Sequence, residues 1–267
     1  MESVDIKIIE AAAIKVEKAI GEAPKLEHLD AGLDAFKAAY KPAEGYIPGY
    51  IDHTFLKPTG KKETITKLCE EAIEHKFASV CVNPCWVPDC LEALKGHPSK
   101  VACVIGFPLG SMTTASKAFE AEDMCKTGVD EVDMVLNIGK LLDEDIKYVY
   151  DDIKAVVDAC HKYDKILKVI IECGAVTPEL TAIASLVSNM AGADFVKTST
   201  GFGYGGAKPE DVALMRCCVG HTTGVKASGG VRSIEDAKNV LKAGATRIGA
   251  SAGVAIAKGL VSKSEGY

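Results

Sequence analysis

The chain has no excess of positive charge: 31 Lys and Arg stand against 37 Asp and Glu, for a net charge of −6 and a pI near 5.6. That balance argues against a nucleic-acid-binding surface and leaves room only for a local basic pocket, such as one for a phosphorylated metabolite. No stretch approaches the roughly 18 apolar residues of a membrane span. The first 21 residues, MESVDIKIIEAAAIKVEKAIG, break their apolar positions with charge and have no h-region of the kind a signal peptide needs. A cytoplasmic protein with neither nucleic-acid nor membrane partners is the expectation.

Metal-ligand patterns are also missing. The ten cysteines form no CxxC pair and no Cys/His cluster at zinc spacing, so reduced structural thiols are expected. The six histidines make no HxxxH or HxH pair, and His28, His75, His97 and His161 read as surface groups in helices or turns. No GxGxxG fingerprint or Walker motif occurs in its required strand-turn-helix context. Neither a metal nor a cofactor is expected, and any phosphate in a site belongs to the substrate.

What is present is an ordinary globular composition, 48% hydrophobic and 25% charged, on 267 residues. That length suits one α/β barrel, which commonly takes about 250 residues. Eight short runs rich in Val, Ile and Cys occur at 51–56, 79–83, 101–107, 131–137, 166–172, 194–199, 224–228 and 246–250. Amphipathic stretches of helical period lie between them at 61–76, 87–95, 113–127, 143–163, 178–191, 209–219 and 233–243. Strand then helix, eight times over, predicts a (β/α)8 barrel at 50–267, with a doubly wound sheet as the alternative.

Pro178 and Pro209 mark helix starts, Ser233 to Asp236 resembles a capping sequence, and Gly128, Gly192 and Gly244 mark helix ends. Residues 1–49 form a separate helical extension. Ile6, Ile9, Ala13, Val16 and Ile20 follow 3,4 spacing, and a second helical stretch covers about 26–40. These helices are expected to cover the barrel's closed bottom or its side.

Two lysines in glycine-bordered strand ends carry the chemistry: Lys197 in FVKTSTGFGYGG and Lys226 in GVKASGGVRS. Burial and a second ammonium nearby both lower a lysine's pKa, and the neutral amine can attack a carbonyl to form a Schiff base. In the fourth run, EVDMVLN, period 2 puts Glu131 and Asp133 on one face and Val132, Met134 and Leu136 on the other. The apolar set should meet the outer helices, so the acids point into the barrel, where they need cations. Lys197 and Lys226 lie across the interior, and contact is expected to need long side chains, either directly or with the help of a bridging water.

Asp52, in the first run, is a further acid, for which structural ion pairing is an equal alternative to catalysis. Cys81 could face either the interior or the helices, and Trp86 reads as packing. Glycine-rich turns follow the last three runs: Gly201 to Gly206, Gly229-Gly230, and Gly249 to Gly253. Together they suggest a phosphate cradle of backbone N–H groups after the last strands.

Over residues 50–260 the motifs IDHTFLKP, VCVNP, VIGFPLG, AFEAEDMCKTGVDEVDMVLNIG, FVKTSTGFG, VKASGGVR and RIGAS closely resemble those of the deoxyribose-phosphate aldolases, class I aldolases of the (β/α)8 fold. The resemblance implies reversible cleavage of 2-deoxy-D-ribose 5-phosphate to acetaldehyde and D-glyceraldehyde 3-phosphate. It implies that Lys197 is the Schiff-base lysine, Lys226 the neighbour that depresses its pKa, Asp133 the acid that shuttles protons through a water, and Asp52 a hydrogen-bonding member of that network. It places phosphate contacts at Gly201, Gly229, Gly230, Ser251 and Ala252, and it implies no cofactor. A homo-oligomer, dimer or tetramer, is the expected assembly.

The chain departs from the family pattern in two places. Phe202 stands where some members carry a phosphate-contacting lysine, and Ala252 stands where a second serine is usual. Some members also end in a tyrosine that assists proton transfer, and Tyr267 occupies that position here. A transaldolase-like transfer and a catalytically silent sugar-phosphate-binding barrel are the competing readings of the same residues.

Overall fold

The computed structural model describes residues 4–41 and 45–262. Eight parallel strands close into a barrel in sequence order: β1 (Ile51–Phe55), β2 (Ser79–Val82), β3 (Lys100–Ile105), β4 (Glu131–Val135), β5 (Ile166–Ile170), β6 (Phe195–Lys197), β7 (Gly224–Ser228) and β8 (Arg247–Ala250). This is the (β/α)8 barrel that the alternating pattern predicts. The alternative doubly wound sheet is excluded, because β1 pairs with β8 through Ile51 and Ile248 and leaves no edge.

The helices are α1 (Ile6–Ile20) and α2 (Leu33–Ala39) before the barrel, then α3 (Lys62–His75), α4 (Val87–Ala93), α5 (Thr114–Thr127), α6 (Ile138–Leu142) and α7 (Ile146–His161). They continue with α8 (Pro178–Ala191), α9 (Pro209–Val219), α10 (Ile234–Ala243) and α11 (Gly253–Ala257). Their ends follow local chemistry. Thr177 accepts a hydrogen bond from the Leu180 N–H ahead of Pro178, Ser233 and Asp236 form a reciprocal capping box, and Gly128 and Gly192 close their helices in the left-handed region.

Two stretches differ from expectation. The predicted helix over 143–163 is α7 alone, because Asn137 and Asp145 each cap a separate helix and Glu144 turns between them at φ 54°. The stretch at 26–40 is a short 3-10 turn at Glu27–Leu29 followed by α2, with Gly32 at φ 93° breaking the period.

Strand alternation sorts the residues into two sets. Ile51, Val80, Val82, Val132, Met134, Val169, Val196, Val225 and Ile248 point outward into one continuous apolar layer beneath the helices. Each such side chain contributes about 1.5–3 kcal/mol by leaving water. A second, smaller apolar cluster of Leu56, Cys81, Ala102 and Val104 lies apart from that layer, on β2, β3 and the residue after β1. By strand parity it faces inward, which settles the orientation of Cys81.

The N-terminal helices cover both surfaces that were expected for them. Helix α1 packs along the side, against α7 and α8, and buries Ile9, Ala12 and Val16. The segment carrying α2 lies at the bottom, where Phe36 and Tyr40 stack on His221 and the His28 Nε2–H donates to the Cys217 carbonyl at 2.8 Å. His28, His75 and His97 are half-buried rather than surface groups, and of the four histidines read as surface groups His161 alone is exposed. No helix among the described residues is long and apolar enough to cross a membrane.

Candidate active site

Inside the barrel, seven ionisable side chains from six strands close into one ion-paired cluster. Asp133 on β4 sits at its centre. Its Oδ2 accepts from Lys197 Nζ at 2.9 Å and from Lys226 Nζ at 2.8 Å, and its Oδ1 accepts from Lys168 Nζ at 2.7 Å. Asp52 on β1 takes Lys226 at 2.5 Å and Arg247 at 2.7 Å. Glu131, one inward position below Asp133, takes Arg247 at 3.0 Å and Lys168 at 2.6 Å. The four sequence-predicted charges are thus brought together, and Lys197 and Lys226 reach Asp133 directly rather than through a bridging water.

Register explains the convergence. Lys197 pairs with Lys226, and Lys226 with Arg247, as Cα partners on neighbouring strands, so all three emerge on the inner face at successive staves. Asp133 pairs with Lys168 in the same way. Gly249 makes the close packing sterically possible, since a Cβ there would fall 2.2 Å from Ser228 Oγ and 3.1 Å from Lys226 Cε. Lys168, Arg247 and the structural role of Gly249 were not singled out from the sequence. The signal was there, because a charge inside ILKVIIE or TRIGA obeys the same parity that exposed Asp133.

The electrostatics separate the three lysines. Burial disfavours charge on each of them. At Lys226 the carboxylates of Asp133 and Asp52 outweigh burial and hold the ammonium well above its usual pKa. At Lys168 Asp133 and Glu131 do the same. Lys197 goes the other way: burial lowers its pKa, Asp133 offsets this only in part, and Lys226 lowers it further.

Asp133 and Asp52 stay ionised. Burial pushes Asp133 up, yet Lys168, Lys197 and Lys226 together hold it well below the usual range. Asp52 is likewise depressed, with Arg247 and Lys226 overcoming its burial. Three carboxylates face four cations in this cluster. A neutral Lys197 leaves three against three, the balance that a low-dielectric interior favours.

The rim above the cluster carries the glycine loops. A Cβ on Gly229 would lie 3.0 Å from Gly206 Cα and 3.6 Å from Gly201 Cα, so the loops after β6 and β7 touch through bare backbone. Gly229 and Gly230 have φ of 82° and 76°, in the left-handed region that favours glycine. Ser251 and Ala252 follow β8, which pairs with β7 on the same rim. Helix α11 behind them is only five residues long, so its dipole is short and an anion would rest mainly on loop N–H groups. Phe202 leans onto the inner apolar cluster and meets Phe107 edge to face at 5.2 Å. Tyr267 lies outside the described residues.

The sequence of residues 48–259 matches the model of the DeoC/LacD family aldolases. Among curated relatives, the chain is 59% identical over 214 residues to deoxyribose-phosphate aldolase of Clostridium perfringens (strain SM101 / Type A), covering 80% of this chain and 95% of the relative. It is 57% identical to the Streptococcus gordonii enzyme of the same name over 79% of this chain and 94% of that one.

Solved structures agree. A Coccidioides immitis protein provisionally described as a deoxyribose-phosphate aldolase superposes with a TM-score of 0.80 at 37% identity, over 97% of this chain and 98% of the other. The tetrameric deoxyribose phosphate aldolase of Aeropyrum pernix does so with a TM-score of 0.75 at 27% identity, over 96% and 97% of the two chains.

Proposed function

The chain belongs to the DeoC/LacD family of aldolases, and from that membership we propose that it cleaves 2-deoxy-D-ribose 5-phosphate reversibly to acetaldehyde and D-glyceraldehyde 3-phosphate through a Schiff base on Lys197. The observation that carries this reading is the opposite bias of two lysines on one carboxylate oxygen. Lys197 and Lys226 both reach Asp133 Oδ2, yet Lys197 is shifted toward the neutral amine and Lys226 toward the ammonium. A nucleophile and a fixed positive charge side by side are what iminium chemistry requires.

In this mechanism the Lys197 amine adds to the C1 carbonyl of the open-chain sugar, and loss of water gives an iminium. The iminium is the electron sink, so no metal is needed. The C3 hydroxyl then gives up its proton as the C2–C3 bond breaks, and that electron pair moves into the iminium to leave an enamine. C3 becomes the carbonyl of glyceraldehyde 3-phosphate. Protonation of the enamine at C2, followed by addition of water to the resulting iminium, releases acetaldehyde and the free lysine. Asp133, held in its basic form, accepts the proton and returns it through a water. Lys226 keeps Lys197 neutral, and Asp52 fixes Lys226.

The phosphate is assigned to the N–H groups around Gly201, Gly229, Gly230, Ser251 and Ala252, where bare backbone can approach an anion. Residues 1–49 are taken as an extension of the barrel domain at 50–267, consistent with the shared apolar layer. A homo-oligomer, dimer or tetramer, completes the reading, with the tetrameric Aeropyrum pernix relative as its support. The test is product analysis with deoxyribose 5-phosphate as sole substrate. Equal release of acetaldehyde and glyceraldehyde 3-phosphate is expected, whereas turnover only on addition of an acceptor aldose would mean a transferase.

A further inference from the structure

Four described non-glycine residues have positive φ: Lys76, Glu144, Asp164 and Glu172. The first three are exposed at helix ends and turns, where this conformation costs little. Glu172 is different. It follows β5 at the rim that faces the candidate active site, it is 1% exposed, and its φ is 60°. A buried carboxylate in a disfavoured backbone conformation is held there by its surroundings, and such outliers cluster at functional sites. The cleavage mechanism does not use it.

Its partner is Thr200, three residues past Lys197. The Thr200 N–H donates to Glu172 Oε2 at 3.2 Å, and the Thr200 hydroxyl donates to the same oxygen. That hydroxyl in turn accepts from the Phe202 N–H at 3.0 Å. A second contact lies two residues on, where a Cβ on Gly174 would fall 1.8 Å from the Tyr204 carbonyl oxygen. On its other side the same loop is tied to β7's loop, by Ala207 N–H to the Gly229 carbonyl at 2.9 Å and by Gly206 against Gly229 and Gly230. The loop from 198 to 208 is therefore gripped between Glu172 and the phosphate-side glycines. It carries Phe202 onto Phe107 and onto the Cys81, Ala102 and Val104 side chains that line the interior near Lys197.

We propose that Glu172 is a positioning residue that clamps the β6–α9 loop, holding Phe202 as an apolar cap over the Lys197 pocket and presenting Gly201 and Gly206 to the phosphate side of the substrate. The inference rests on the aldolase reading for its kinetic consequence but not for its structural one. Glu172 acts through Thr200 and touches none of the reacting atoms. Removing the buried acceptor leaves the two Thr200 donors without their partner, so its loss releases the loop.

Hydrogen exchange and kinetics on Glu172→Ala and Glu172→Gln test this together. In Glu172→Ala, amides of residues 198–207 exchange faster by about tenfold or more, while amides of β4 and β7 keep their rates. KM for deoxyribose 5-phosphate rises by a similar factor of about ten, with reductive trapping of acetaldehyde on the lysine changed by less than about twofold. Glu172→Gln keeps an acceptor oxygen and recovers most of both effects. Unchanged loop exchange in Glu172→Ala overturns the clamp whether or not the protein is an aldolase. Equal loss of trapping and turnover overturns it too, by placing Glu172 in support of Lys197 itself. Should Glu172→Ala fail to fold, Thr200→Val removes the hydroxyl from the other side of the clamp, and the same loop amides must then exchange faster. A wild-type protein that neither traps acetaldehyde nor cleaves the sugar would refute the aldolase reading and leave the exchange test standing.

Discussion

Lys197 and Lys226 converge on a single oxygen, Asp133 Oδ2, at 2.9 and 2.8 Å. One carboxylate oxygen shared by two amines cannot stabilise both charges fully, and the second contact of Lys226 with Asp52 at 2.5 Å decides which stays charged. Lys226 has two carboxylates and remains an ammonium. Lys197 has a share of one, and burial tips it toward the amine.

Replacing Lys226 by leucine removes the adjacent charge and gives Lys197 sole use of Asp133 Oδ2. Both changes raise the Lys197 pKa, so the alkaline rise in activity moves to higher pH. A one-unit rise costs about tenfold in rate near neutrality and is recovered in alkaline buffer. The pH profile of kcat/KM checks this, and a profile of unchanged shape would contradict the electrostatic role given to Lys226.

Gly230→Val introduces a β-branched side chain at φ 76°, where only Gly206 Cα lies within 4.0 Å of the new Cβ. The substitution therefore acts by backbone strain in the loop rather than by collision with the lysine cluster. Loss of kcat/KM should be about tenfold greater for deoxyribose 5-phosphate than for unphosphorylated deoxyribose. Equal losses for the two sugars would place this glycine in support of the fold.

Arg247→Leu leaves Asp52 with Lys226 but without its second close cation, and breaks the Arg247 link to Glu131. Destabilisation of about 3–5 kcal/mol is expected for a broken buried pair. Asp52 has a folded-state pKa depressed below its ordinary 3.8. Its contribution to stability is complete above that value and is lost as pH falls through the lower folded-state one. The variant raises the folded-state pKa, so stability should fall less steeply on acidification below about pH 4 than in the parent. Denaturant midpoints measured across pH 2 to 5 read both effects, and parallel curves would contradict the assignment.

The barrel was legible because each strand carries its own signal, and Lys197, Lys226, Asp133 and Asp52 were legible because a charge in an apolar strand needs a reason. The same logic covers Lys168 and Arg247, which went unremarked although each is a charge inside an apolar run. Cys81 stayed ambiguous until its neighbours Ala102 and Val104 were seen on the inner face. Glu172 and Thr200 could not be paired from sequence, since nothing local marks a hydrogen bond between loops 28 residues apart. The start of α7 was read too early for another reason: the stretch of helical period begins at 143, and the left-handed turn at Glu144 with the Asp145 cap moves the first turn to Ile146.

Borohydride reduction in the presence of acetaldehyde, followed by intact-mass measurement and peptide mapping, addresses the nucleophile directly. One ethyl group, an addition of about 28 Da, should appear on Lys197, and Lys197→Ala should show neither the adduct nor turnover while keeping the fold. An adduct on Lys226 or Lys168, or a Lys197→Ala variant that still cleaves deoxyribose 5-phosphate, would contradict the assignment.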